Sequence, residues 1–167
     1  MENSKSLEIL KQAILLEKRG KAFYTNAMEN SKDEDVKKIF KTMADEEEEH
    51  IRFLAEQFKK YRDAGKFDAS ELPVIGEDNV SEQVLTKTIK DKISAASFEA
   101  AAIASAIDME NRAIAVYTER AENATDEEEK KFYLWLANWE KGHHKLLYHL
   151  DQELKEKIWF DNNFWAF

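Results

Sequence analysis

A chain of 167 residues is long enough for one domain with its own core and short for two, so a single domain over residues 1–167 is expected. It contains no cysteine, which excludes disulfides, thiolate-bound zinc and iron–sulfur or rubredoxin-type centres; any metal must be held by carboxylates and imidazoles. A formal charge of −9 argues against nucleic acid, whose phosphates require a basic face, and mildly favours cations.

One proline, four glycines and 35% charged residues favour helix and leave few places for tight turns. No run approaches the roughly 18 uncharged apolar residues of a membrane span, and the start "MENSKSLEIL" lacks the apolar core of a signal peptide. A cytoplasmic protein without membrane contact is the expectation.

Taken in chain order, the helical period predicts a first helix over 5–30 and a second over 33–63, joined by the polar turn "NSKDED" with an Asp to cap the second. Residues 64–81, "AGKFDASELPVIGEDNVS", hold the proline and two glycines and read as a long crossover connection. Residues 83–93 suggest a short extra helix, and Ser94 or Ser97 can cap a third long helix over 97–123. A second short turn, "NATDEE", leads into a fourth helix over 126–156. Short turns imply antiparallel hairpins, so the expected fold is all-α: a four-helix bundle of two hairpins joined by a crossover. The closing "IWFDNNFWAF" is too aromatic to be left in water and is expected to pack on the bundle or on a partner subunit.

The second helix contains the run "ADEEEEHIRF", in which four glutamates precede a histidine. An internal repeat separates them. Offset by 93 residues, Ala13–His50 aligns with Ala106–His143 without a gap, with 16 identities in 38 positions. Glu17 falls on Glu110, Tyr24 on Tyr117, Glu47 on Glu140 and His50 on His143, whereas Glu46 meets Trp139, Glu48 meets Lys141 and Glu49 meets Gly142. Only Glu47 of the four has a glutamate mate.

Helical phase selects the same residues. The apolar face of the second helix runs Val36, Phe40, Met43, Glu47, His50, Leu54, Phe58, Tyr61, and that of the fourth Tyr133, Leu136, Glu140, His143, Leu147, Leu150, Leu154. Glu17 and Glu110 occupy corresponding places on the first and third helices. Glu46, Glu48 and Glu49 are read as solvated, His144 and His149 as surface residues, and Lys21 as leaving the seam by its long stem. Four inward carboxylates cost several kcal/mol each if ionised and unpaired. Two divalent cations would balance them, with two neutral imidazoles completing the coordination. Tyr24 and Tyr117, two turns beyond Glu17 and Glu110, suit either a hydrogen bond to a ligand or plain core packing. Trp135 and Trp139 suit packing or an interface, with an electron relay as the alternative.

One Glu on each of two helices, with Glu-x-x-His on each of the other two, is the pattern of ferritin-like di-iron carboxylate proteins. The sequence resembles rubrerythrins, specifically their ferritin-like domain, over about residues 7–156. That resemblance implies Glu17 and Glu110 as terminal ligands, Glu47 and Glu140 as bridges, and His50 and His143 serving one metal each, with two iron ions as the usual occupants and manganese or zinc suited to the same atoms. It also implies a homodimer and a role in oxidative stress. Two departures stand out. The Cys-rich rubredoxin module is missing, so electrons would come from a separate donor protein. Ala113 stands where rubrerythrins carry a further Glu, and its repeat mate is Gly20, so a nearly symmetric centre is expected.

Three functions follow from such a site: an oxidoreductase reducing hydrogen peroxide or dioxygen, a ferroxidase that passes iron through, and a non-catalytic protein that keeps the metal as a staple.

Overall fold

The computed structural model describes residues 2–74 and 97–161, with side chains over 5–74 and 97–156. Within them the chain forms α1 (Glu2–Asn30), α2 (Glu34–Ala64), α3 (Phe98–Asn123) and α4 (Glu127–Asp161), and no strand. The four expected helices are present with ends shifted by a few residues; α4 runs on past residue 156 to Asp161, a stretch with no glycine or proline to end it. The expected helix over 83–93 and the side chains of the aromatic tail lie outside the described residues. None of the described helices is long and apolar enough to cross a membrane.

The caps follow the sequence signals. Asp33 accepts from the amides of Asp35 (2.9 Å) and Val36 (3.2 Å) at the start of α2. Its repeat mate Asp126 accepts from those of Glu128 (2.8 Å) and Glu129 (2.9 Å) at the start of α4. Ser97 caps α3 through the amide of Ala100. Each satisfies donors that the first helical turn leaves without partners. α2 ends on Gly65, whose φ of 69° is the left-handed conformation that glycine adopts without a Cβ penalty, and its N–H bonds Tyr61 O at 2.8 Å.

Hairpins α1–α2 and α3–α4 face each other across two apolar layers. In one layer Tyr24 and Ala27 of α1 meet Val36, Ile39, Phe40 and Met43 of α2, Ala102, Ile103 and Ala106 of α3, and Leu146, Leu147, Leu150 and Leu154 of α4. In the other, Leu10 and Ala13 meet Leu54 and Tyr61, Ala113, Tyr117 and Ala121, and Phe132, Tyr133 and Leu136. The late part of α1 therefore lies beside the early part of α3, so these helices are antiparallel, as are α2 and α4 by the same reasoning. The end of α2 and the start of α3 fall at opposite ends of the bundle, so residues 65–97 must connect one end to the other. The first part of that connection is fastened to the bundle: Ala69 N–H bonds Glu128 at 3.1 Å and the Trp135 indole bonds Pro73 O at 2.8 Å. At the other end Glu99, buried on α3, accepts from Lys32 N–H at 2.9 Å and ties the α1–α2 turn to the second hairpin.

Leu147 is fully buried, and Leu147→Ala is expected to lower unfolding free energy by about 2–5 kcal/mol through lost burial and the cavity left behind. Asp33→Ala, which removes the cap, should cost about 1 kcal/mol. Urea unfolding followed by circular dichroism checks both, with the midpoint moving and the slope constant.

Candidate metal centre

Between the two apolar layers lies a polar one. Glu17, Glu47, His50, Glu110, Glu140 and His143 are each no more than 3% exposed, and every helix contributes at least one of them. In α2 and α4 the i, i+3 spacing places Glu and His on one face, one above the other. The six residues fall into two overlapping groups, Glu17–Glu47–His50–Glu140 and Glu47–Glu110–Glu140–His143, and within each group one ligand-type atom per residue lies within 4.8 Å of the others. Glu47 and Glu140 belong to both.

The inner atoms of both imidazoles are Nδ1. That of His50 is 3.2 Å from Glu17, 3.2 Å from Glu47 and 3.0 Å from Glu140. That of His143 is 3.2 Å from Glu140, 3.7 Å from Glu110 and 3.9 Å from Glu47. The two rings stack with centroids 5.6 Å apart. Tyr24 and Tyr117 are fully buried and cross the site: Tyr24 donates to Glu110 and Tyr117 to Glu17, so each tyrosine holds the glutamate of the opposite half.

Bringing these groups together without a cation distorts their acidities. Burial, then the charge of Glu140, pushes the Glu110 carboxyl up to about 7, and burial with Glu140 and Glu17 raises Glu47 as well. Burial opposes charge on both imidazoles, yet the ring of carboxylates, Glu140 foremost at His50 and Glu110 foremost at His143, lifts both above their ordinary value. Glu140 goes the other way: despite burial, His50 and His143 hold it below the usual carboxylate range. Tyr24 is raised by burial and by Glu110 and keeps its proton.

The donor set fits a hard or borderline divalent cation. Both oxygens of Glu140 and Nδ1 of His143 are buried without a hydrogen-bond partner, a combination that ordinary native interiors avoid. Glu140 lies within 3.2 Å of both Nδ1 atoms but out of hydrogen-bonding alignment with them, so these lone pairs are arranged around a shared space rather than toward each other. Two divalent cations would neutralise four carboxylates and use those lone pairs.

The neighbouring residues behave differently from one another. Glu48 is exposed and pairs with Lys21 at 2.7 Å, which also takes the Lys21 ammonium out of the seam, and Glu49 pairs with Arg52. Glu46 does not have the solvated place expected of it. Its side chain is only 17% exposed, and its Oε2 lies 2.5 Å from His143 Nε2 and 3.4 Å from the Trp139 indole nitrogen. A signal was present: Met43, Glu46, His50 and Phe53 form a helical line of their own, which turns the residue toward α4. Trp139 and Trp135 pack inside the chain, Trp139 with its ring edge-to-face on His50 at 4.6 Å. His149 is exposed beside Glu153, while His144, expected at the surface, is half-buried against Tyr148.

Gly20 also acquires a reason. A Cβ there would stand 3.0 Å from Glu47 Oε1 and 3.1 Å from its Cδ, closer than ordinary van der Waals contact, so a side chain at this position would press the Glu47 carboxylate out of its place. Ala113, its repeat mate on α3, is buried and brings no carboxylate to the site.

No curated protein sequence and no solved structure gives a match to this chain. A family model described as Rubrerythrin matches residues 8–151, a stretch that contains all six clustered Glu and His residues and most of each helix. A ferritin-like bundle with one buried carboxylate on each of α1 and α3, a Glu-x-x-His on each of α2 and α4, and a family match across most of its length leaves one assignment: the chain belongs to the rubrerythrin family.

Proposed function

We propose that this protein is an oxidoreductase that reduces hydrogen peroxide or dioxygen at a buried di-iron centre, with electrons delivered by a separate donor protein. The observation that carries the reading is the pair of overlapping buried groups that share Glu47 and Glu140 and leave Glu140 and His143 Nδ1 without protein partners. On this reading Glu17 and His50 would help hold one metal and Glu110 and His143 the other, with Glu47 and Glu140, which belong to both groups, available to each. When bound, a pair of ferrous ions supplies the two electrons that turn hydrogen peroxide and two protons into two waters, or dioxygen and two protons into hydrogen peroxide.

The protein's own groups set the conditions for that chemistry. Tyr24 and Tyr117 fix the orientation of Glu110 and Glu17 and keep phenolic protons one hydrogen bond from the ligand carboxylates. A cavity of about 260 Å³ between α1 and α3, lined by Ile9, Ala13, Leu16, Val116 and Tyr133, has Tyr117 in its wall and offers a small oxidant an approach to within one side chain of Glu17. The near-complete burial of all six residues favours a resident cofactor over iron in transit, which is the observation against a ferroxidase.

Elemental analysis of iron-reconstituted protein should give two metal ions per chain. Glu47→Ala should abolish the paired site, while Glu48→Ala and Glu49→Ala leave the metal content unchanged. A firm value of one metal per chain, or equal loss in all three variants, would reject the two-metal assignment.

Mixed anaerobically with peroxide, the reduced protein should be oxidised in a stopped-flow experiment at one peroxide per chain, with the iron still bound after gel filtration. A metal-loaded protein inert to both peroxide and oxygen would leave the centre a structural staple, and iron released in step with oxidation would point to a ferroxidase.

Metal removal should reverse the dependence of stability on pH. Without a cation, Glu110 is raised from 4.5 to about 7 and Glu47 is raised too, so protonation stabilises the fold below about pH 4.5 and that contribution is lost as pH climbs toward 7. His50 and His143, raised from 6.5, extend the loss to higher pH. The melting temperature of the metal-free protein should therefore fall by several °C between pH 5 and 8, whereas metal binding, which needs deprotonated ligands, strengthens over that range and should widen the gap between loaded and metal-free protein. Calorimetry of both forms checks the sign.

A further inference from the structure

The twofold repeat makes the inner ligands of the two half-sites alike; one position at the rim makes them differ. His143 points Nδ1 at the glutamates and Nε2 at the Glu46 carboxylate, 2.5 Å away. His50 also points Nδ1 inward, but its Nε2 is buried with no hydrogen-bond partner. Trp139 explains the difference, because it is the repeat mate of Glu46 and presents to His50 an aromatic ring, with centroids 4.6 Å apart, where Glu46 presents a carboxylate to His143. The two mates also touch, the Trp139 indole N–H donating to Glu46 Oε2 at 3.4 Å.

We propose that Glu46 is a positioning residue that makes the two metal half-sites inequivalent, holding the His143 imidazole for a divalent cation more firmly than His50 is held. A carboxylate on Nε2 keeps the ring proton on that nitrogen, leaves the Nδ1 lone pair free, fixes the ring plane and increases electron donation from Nδ1. His50 has no partner on Nε2: its Nδ1 is hydrogen-bonded to the inner carboxylates Glu17 and Glu47 at 3.2 Å each, contacts that a bound cation would take over, which leaves its ring plane to packing alone once the site is filled. A cation entering the metal-free site therefore settles first in the group Glu47–Glu110–Glu140–His143. The inference rests on the metal-centre reading, and its test separates the two.

Cobalt(II) alone serves as the probe, titrated into metal-free protein by calorimetry and by its visible absorption, with no turnover required. Wild type should take up two ions in two resolved steps; a wild type that binds no cobalt refutes the metal centre itself. Glu46→Ala should weaken the tighter step by about 10–100-fold and leave the weaker step within about 2-fold, so that the two steps merge. Glu46→Gln, which keeps the shape and an oxygen acceptor but not the charge, should fall between wild type and Ala. In zinc-loaded protein, proton NMR should show one strongly downfield imidazole N–H that moves upfield in Glu46→Gln. If both steps weaken alike in the two variants, or neither changes, or the downfield signal persists unchanged in Glu46→Gln, Glu46 does not discriminate between the halves and the proposal is overturned.

Discussion

Four glutamates packed between two apolar layers form the constraint on which the rest of this fold depends. Each would shed much of its hydration on folding, and among the described residues no lysine or arginine enters the layer to balance them, since Lys21 turns outward to Glu48. Protons can relieve the repulsion in part, which is why Glu47 and Glu110 are pushed toward their neutral forms and both imidazoles toward their charged ones. Divalent cations would relieve it further and would also use the lone pairs of Glu140 and of His143 Nδ1 that the protein leaves without partners. The apolar layers on either side supply the hydrophobic stability that makes such a layer tolerable in a bundle of this size.

The surrounding architecture can be followed from that layer outward. Antiparallel packing of α1 on α3 and of α2 on α4 brings the middle of every helix to the same level, so one inward Glu per helix is enough to build the site. The tyrosines cross the same layer: the Tyr24 side chain, two turns beyond Glu17 on α1, reaches over to Glu110 of α3, and Tyr117 of α3 reaches back to Glu17. Gly20 is the backbone counterpart. A glycine inside a helix costs about 1 kcal/mol against alanine, and here the cost is offset by the space that the Glu47 carboxylate occupies.

Much of this was legible in the sequence because two independent periods agree on the same residues. The 93-residue offset and the helical face each select Glu47 from its run of four, and the Asp33 and Asp126 caps also repeat. Glu46 was not legible by that logic. A repeat argument keeps only what both halves share, and Glu46 matters because its mate is a tryptophan. Its position is decided by the neighbouring helix: it sits about 100° round α2 from Glu47, at the edge of the seam, where the approach of α4 determines whether a side chain meets water or an imidazole. Edge positions depend on the distance between helices, which hydrophobic pattern alone does not encode.

Ala113 and Gly20 then bear on how a duplicated site can work as an unequal pair. A further carboxylate on α3 would distinguish the two metals by the number of their ligands, and among the described residues neither half brings one into the layer. Ligand count therefore leaves the halves equal, and any difference between them must come from what stands behind the ligands. The two outer imidazole nitrogens are where the halves visibly part, one on a carboxylate and the other against an indole ring. Since that carboxylate acts through a ring already held by α4, it can alter affinity and electron donation without moving a ligand. A centre built this way can be unequal in energy while staying nearly symmetric in shape, so its asymmetry is expressed in binding order and ring hydrogen bonding before it is expressed in coordination geometry.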